Sequence, residues 1–279
     1  MTKRIAVLYI ATGPYIAFWK RFIDSFEEKF LKECEVHYYV FTDATNIYRS
    51  DESRVHIMYQ KSEPWPLPTL LKFHRFLEIR EELEKYDYIY QSNANVVCNK
   101  VVNETDFLPR QEDGEKLIFT LHPGFMRKKI YDYPYERDSK SGAYVPYNKG
   151  KVYVYGAMNG GVAKDYLDLI NSLDCGIIED LKNNRIAKWH DESWVNKAII
   201  GRKDYRLLDP AFSYPIGFEI PYERIISGVP KEDVFDVKNF KGTYPVKRSF
   251  LGKIVNRIKY YAEYIKRRLN YIIDTILMK

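Results

Sequence analysis

The sequence predicts an α/β protein with a mostly parallel, Rossmann-like sheet, followed by a basic amphipathic helix. Three observations carry that expectation. Short apolar runs at 5–10, 35–41 and 88–90 read as buried strands with helical periodicity between them, the alternation that builds parallel sheets covered by helices. Strand ends turn polar at Thr42-Asp43 and at Asn93-Ala94-Asn95, and the carboxyl edge of such a sheet is where ligands bind. The chain's 279 residues, 46% of them hydrophobic, can bury one large core or two small ones; one domain over 1–245 with a tail over 246–279 is the simpler reading.

The elements follow in order. Ile5-Ala6-Val7-Leu8-Tyr9-Ile10 is a buried strand stopped by Thr12-Gly13-Pro14. Phe18, Phe22, Phe26 and Phe30 recur every four residues and predict an amphipathic helix over 18–31. A strand over 35–41 follows, then the stiff connector Pro64-Trp65-Pro66-Leu67-Pro68 and a helix over 69–85. The strand over 88–90 delivers Asn93 and Asn95, and residues two apart in an extended segment point to one side, so the two amides are expected together. Residues 117–121 read as a strand and 126–150 as a loop region rich in Tyr, Arg and Lys. A short strand over 152–155 ends in Gly156-Ala157, and Gly160-Gly161 precedes a helix over 162–173; small residues at such a turn admit a ligand close to the backbone. A helix over 192–200 starts with carboxylates, which its dipole favours. Finally Leu251, Ile254, Val255, Ile258, Tyr261, Ile265, Leu269, Ile272, Ile273 and Ile276 make one apolar stripe on a long helix.

Charge is unevenly placed. From 247 to 279 nine basic residues (Lys247, Arg248, Lys253, Arg257, Lys259, Lys266, Arg267, Arg268 and Lys279) face two acidic ones, so this segment carries +7 and the remainder −1 of the total +6. A basic amphipathic helix of this kind lies on an anionic membrane surface. Packing on the catalytic body or on a second copy is the competing use of the stripe. A nucleic-acid-binding arm fits less well, because the aromatic and apolar residues fall at helical spacing. Three widely spaced cysteines, Cys34, Cys98 and Cys175, argue against a disulfide framework and a thiolate metal site, and for a reducing compartment. The histidines lack zinc spacing, and no Walker-type or dinucleotide glycine loop occurs. The first apolar run is too short for a secretory core or a membrane span. The expected location is cytoplasmic, peripheral on the inner face of an anionic membrane.

Two groups of residues carry chemistry. A carboxylate pair at the Asn93 and Asn95 positions would hold a divalent cation for a nucleotide's phosphates; amides keep the reach but lose the charge, which suggests nucleotide chemistry without a metal. A cation of the protein must then neutralise the diphosphate. Glu192 is the candidate catalytic residue, since a carboxylate can act as a nucleophile or stabilise developing positive charge. Asp191 beside it also reads as a helix N-cap.

The stretch Lys188-Trp189-His190-Asp191-Glu192-Ser193, with His122-Pro123-Gly124-Phe125 and Tyr155-Gly156-Ala157-Met158-Asn159-Gly160-Gly161, resembles glycosyltransferase family 6. That family comprises retaining α1,3-galactosyl and N-acetylgalactosaminyl transferases, among them the blood-group A and B enzymes. The resemblance covers roughly residues 3–220 in the family's order, with Tyr38 to Asp43 ahead of the D-x-D position and Tyr135-Glu136-Arg137 after H-P-G-F. It implies a GT-A-type catalytic domain. Asparagine at the D-x-D position matches the bacterial branch, whereas vertebrate members carry Asp-x-Asp and need manganese; no metal and no cofactor beyond the UDP-sugar co-substrate is expected.

The resemblance also implies roles. Donor-binding positions are Ile10, Thr12, Tyr15, Lys72, Asn93, Asn95, Tyr155, Gly156, Ala157 and Asp191. Of these, Tyr15 matches a tyrosine near the uridine, Lys72 stands where relatives usually carry Arg, and Asp191 matches a residue that hydrogen-bonds the donor sugar. A Lys or Arg after Ile220 is a further candidate to fold over the leaving group. Tyr155-Gly156-Ala157 matches the segment that chooses between galactose and N-acetylgalactosamine, and alanine at 157 leans toward galactose. His122, Trp189 and Glu192 match acceptor-contacting positions. Glu192 matches the family's candidate nucleophile, although front-face attack, with the departing phosphate taking the acceptor's proton, also gives retention. The implied acceptor is an α1,2-fucosylated galactose, and a lipid-linked form would suit the membrane location. A catalytically inactive carbohydrate-binding protein of the same fold is the alternative, against which the intact W-H-D-E-S speaks.

Overall fold

The first apolar run becomes the central strand β1 (Arg4–Ile10), whose residues Ile5 to Tyr9 are all shielded from solvent, as a parallel strand covered on both faces requires. The computed structural model describes residues 2–236 and 250–277. Alternation along β1 divides the core: Ile5, Val7 and Tyr9 join one apolar cluster, Ala6 and Leu8 the other. A 3-10 turn over Gly13–Phe18 leads into α1 (Trp19–Lys29), so Phe18 ends the turn, Phe22 and Phe26 lie in the helix and Phe30 is extended just past it; Phe22 and Phe26 stack at 4.1 Å under the sheet. Strands β2 (Glu35–Thr42) and β3 (Val55–Tyr59) extend the sheet in parallel from β1.

The single helix expected over 69–85 is instead three short ones, α2 (Leu67–Leu70), α3 (Lys72–Leu77) and α4 (Arg80–Leu83), interrupted at Leu71 and Ile79. The reason lies in spacing. Leu70, Phe73 and Phe76 are three apart, and each such step advances a straight helix only about 300°, so their side chains would drift off one face. The interruptions keep all three, and Leu83, in one core cluster.

Strand β4 (Tyr88–Ser92) pairs in parallel on the other side of β1. After it come β5 (Val96–Cys98), α5 (Glu104–Phe107) and β6 (Leu117–Leu121). Strand β7 (Val154–Val162) inserts antiparallel between β4 and β6, and it continues through Gly156-Ala157, where a turn was expected, with a shift of its register against β6. Long-range packing explains the difference: a Cβ on Gly160 would meet the Ile89 carbonyl oxygen at 2.3 Å, and one on Gly161 that of Lys116 at 2.4 Å. These glycines let β7 fit between its neighbours. Helices α6 (Ala163–Lys182) and α7 (Asp191–Ala198) then cover the face that α3 covers, and β8 (Tyr205–Leu208) pairs in parallel with β6. The order β3-β2-β1-β4-β7-β6-β8 is a mostly parallel seven-stranded sheet, as predicted. A separate ribbon joins β5 to β9 (Ile226–Gly228).

The tail forms α8 (Phe250–Leu277). It lies against the long loop before β7: the Tyr131 ring is 6.1 Å from Tyr264 and 5.6 Å from Tyr271, and the Tyr147 amide donates to Asp274 Oδ2 at 2.6 Å. The expected boundary at 245/246 and Lys247, Arg248 and Lys279 lie outside the described residues, as do the side chains of 250–260. Among the described residues no helix is long and apolar enough to cross a membrane.

Candidate active site

Glu192 sits at the start of α7, where that helix crosses β7. Its Oε1 accepts the Tyr153 hydroxyl at 2.8 Å and its Oε2 the Gly156 amide at 2.9 Å. Only glycine permits this approach, because a Cβ at 156 would stand 2.6 Å from Glu192 Cβ. Burial pushes the Glu192 carboxyl up to about 7, against the two hydrogen bonds, which favour the anion; neighbouring Asp191 adds to the rise. Burial and the Glu192 carboxylate raise the Tyr153 hydroxyl far above the ordinary tyrosine range, so it stays a donor.

Beside this pair, the buried Asp191 and Lys72 form an ion pair at 2.5 Å, and Lys72 Nζ also donates to the Gly156 carbonyl at 3.0 Å. The starts of α3, α7 and β7 thus meet in one polar group of Lys72, Asp191, Gly156 and Glu192. His190, just before α7, has φ 52° and ψ −127°, a costly conformation for a residue with a Cβ and of the kind that collects at functional sites. Asp191 faces inward and Trp189 is 46% exposed.

The two asparagines do not point together. The chain turns at Ala94-Asn95 between β4 and β5, so the extended geometry assumed from sequence is lost. Asn93 Nδ2 donates to the Tyr155 hydroxyl at 3.2 Å, while Asn95 is buried and donates to the Val229 carbonyl at 2.9 Å. Both bonds are made by the amide nitrogens, and neither asparagine brings a carboxylate to the turn. Among the described residues no group of three or more His, Cys, Asp or Glu side chains could hold a metal ion.

At the end of β1, Ile10 and buried Thr12 precede the turn whose Gly13 amide donates to Asp43 Oδ1 at 2.7 Å. Tyr15 follows, with Lys231 Nζ 5.1 Å from its ring centre. Lys231 lies two residues past Val229, the partner of Asn95, so one short segment links the Asn95 turn to Tyr15. Lys231 is one of the cations after Ile220, and it lies beside Tyr15.

On the other side, the His122 ring is 5.3 Å from Tyr155, edge to face, and 5.8 Å from Tyr153. His122 Nδ1 accepts the Gly124 amide at 3.0 Å, and burial pushes its pKa down to about 4, so the ring is neutral with its proton on Nε2. Ala157 stands one residue past Gly156 on β7, its carbonyl accepting Gln91 Nε2 at 2.6 Å.

Sequence reasoning missed three supporting residues. Tyr153 offers no spacing signal in a chain that is 16% aromatic. Asn196, one turn after Glu192, makes two hydrogen bonds of 2.8 Å to the Val154 backbone and so fastens α7 to β7. Glu136, noted only as part of a motif, accepts the Arg137 and Asp138 amides on Oε1 and the Lys188 amide on Oε2 at 2.6 Å, tying the loop to the Trp189 segment.

The model of glycosyltransferase family 6 matches residues 2–224. The O-antigen biosynthesis glycosyltransferase WbnI of Escherichia coli is 37% identical over 211 residues, 76% of this chain and 88% of the relative. The globoside alpha-1,3-N-acetylgalactosaminyltransferase 1 of Gallus gallus is 28% identical, and the histo-blood group ABO system transferase 2 of Rattus norvegicus 27%, each over 75% of this chain. The matches span 61% and 63% of those two vertebrate proteins. With the family model matching most of its length, the chain belongs to glycosyltransferase family 6.

Proposed function

We propose that the chain transfers galactose or N-acetylgalactosamine from its UDP derivative to the 3-hydroxyl of an acceptor galactose, with retention and without a metal ion. The observation that carries this reading is Glu192, held by Tyr153 and Gly156 beside the Lys72–Asp191 pair. In the proposed reaction the bond from the anomeric carbon to the UDP oxygen breaks and a bond to the acceptor oxygen forms. Glu192 either attacks the anomeric carbon first or stabilises its positive charge while the departing phosphate takes the acceptor's proton. Asp191 binds the donor sugar, and Ile10, Thr12 and Tyr15 lie on the nucleotide side.

Fixed cations replace the metal in this reading. Lys231, between Tyr15 and the Asn95 turn, is positioned for the diphosphate, and Lys72 holds the sugar side through Asp191. Tyr155, packed against His122 and bonded to Asn93, and Ala157 narrow the sugar site and favour galactose. The exposed indole of Trp189 suits the apolar face of a galactose ring, and His122 Nε2 offers a donor to its hydroxyls. An α1,2-fucosylated galactoside is the acceptor that the family resemblance implies, and a surface glycan suits the O-antigen biosynthesis relative. The basic α8 supports a place on the cytoplasmic face of an anionic membrane.

The test is a transfer assay in the presence of chelator, offering UDP-galactose or UDP-N-acetylgalactosamine and a fucosylated galactoside. Glu192→Gln should lose product while still binding donor; a fully active Glu192→Gln overturns the assignment. Acceptor binding with no turnover from either donor marks an inactive carbohydrate-binding protein instead.

A further inference from the structure

We infer that α8 is a two-faced mount: its inner face grips the loop that carries the acceptor-side aromatics, and its outer face enters an anionic bilayer, so the cleft serves galactosides anchored in that same bilayer. The inference rests on the transferase reading above.

Amphipathic helices ordinarily turn their apolar stripe to the protein. Over 261–277 this one does the reverse. Tyr264, Arg267, Tyr271 and Asp274 fall three and four apart on one face, and that face meets the body. Tyr131 packs on both tyrosines, Arg267 pairs with Asp132 at 3.6 Å, and Asp274 takes the Tyr147 amide and, through its carbonyl, Asn148 Nδ2 at 2.8 Å. Ile265, Leu269, Ile272 and Ile276 fall roughly 150° around the helix from it. They are 57%, 54%, 45% and 66% exposed, a contiguous apolar strip of the kind that marks an interaction surface.

Charge selects the occupant. Lys266 and Arg268 border the strip, within a segment that carries +7. A second copy would bring the same positive charge to the same face, whereas an anionic lipid surface attracts each of these residues.

The inner contacts lead to the chemistry within a few residues. Tyr133, two past Tyr131, has its ring 6.1 Å from Tyr153, whose hydroxyl is bonded to Glu192. In the same loop Phe125 packs on His122 at 4.7 Å, and Glu136 holds the Lys188 amide next to Trp189. Lipid contact on the outer face therefore fixes how the acceptor side stands relative to the bilayer. An acceptor anchored there gains effective concentration that a dissolved one does not.

The experiment uses the full chain and the double variant Leu269→Glu/Ile272→Glu, with circular dichroism to confirm folding. Flotation is measured on phosphatidylglycerol–phosphatidylethanolamine vesicles and on phosphatidylcholine vesicles. Transfer is measured to a fucosylated galactoside free in solution and to the same glycan on a lipid anchor in the anionic vesicles. The native chain should float with anionic vesicles only. The variant should lose flotation and at least about tenfold in kcat/KM on the anchored acceptor, with transfer to the free one unchanged. Failure of the native chain to float overturns the lipid contact and this inference, as does a solution dimer that the variant dissolves. Flotation with the anchored and free acceptors used equally by both chains overturns the inference alone. Absence of transfer to either acceptor overturns the transferase reading.

Discussion

At the residue scale, the raised pKa of Glu192 has two consequences of opposite sign. The anion does the proposed work, so kcat/KM should fall about tenfold per pH unit below about 7 and level off above it. Tyr153→Phe removes a hydrogen bond that favours the anion, so it should move that acid limb upward, by about half a unit to one unit. An unmoved limb would detach Tyr153 from Glu192. For stability, the unfolded chain ionises Glu192 near 4.5 while the fold holds its proton to about 7, so stability falls as pH rises through that window and stays low above it. Glu192→Gln, though inactive, should therefore be more stable than the native chain at pH 8, by about 1–3 kcal/mol, in denaturant titration. Gly156→Ala places a Cβ against Glu192 and should cost about a hundredfold in turnover with either donor sugar; a change of donor preference at full rate would assign Gly156 to selection alone. Glu192 and Asp191 were legible in a contiguous motif. Tyr153 was not, because its contact with Glu192 joins residues 39 apart through a strand–helix crossing.

At the scale of elements, local pattern located most strands and failed where a distant partner decides. The run from Thr69 to Lys85 has continuous helical propensity, yet core packing of residues three apart divides it. Gly156-Ala157 and Gly160-Gly161 read as turn signals, but β4 and β6 hold Gly160 and Gly161 in a strand, and Gly156-Ala157 fall at an irregularity of its pairing with β6. Asn95 was expected at an open edge, and a partner 134 residues away buries it. The α7–β7 crossing is the joint on which the site depends, with Asn196 as its fastening. Asn196→Ala leaves the Val154 amide and carbonyl without partners and should destabilise the fold by about 2–4 kcal/mol, with turnover falling alongside. Full turnover with native stability would show that the crossing does not need it.

For the whole molecule, alternation of apolar runs with helical periodicity was enough to predict a mostly parallel sheet, because that rule depends on layers rather than on particular contacts. The antiparallel insertion of β7 escaped it. So did the orientation of α8, since the sequence defines an apolar stripe but not which face meets the body. The sheet brings the Asn93–Asn95 turn, Tyr15 and Lys231 to one edge and Glu192, Asp191 and Lys72 beside them, and the central claim is that these fixed groups make a metal unnecessary. Manganese titration of the transfer rate, starting in chelator and repeated with Lys231→Ala, tests it most directly. The account predicts a native rate that manganese leaves unchanged and a Lys231→Ala rate about a hundredfold lower that manganese does not restore. A native rate that disappears in chelator and returns with manganese would contradict it.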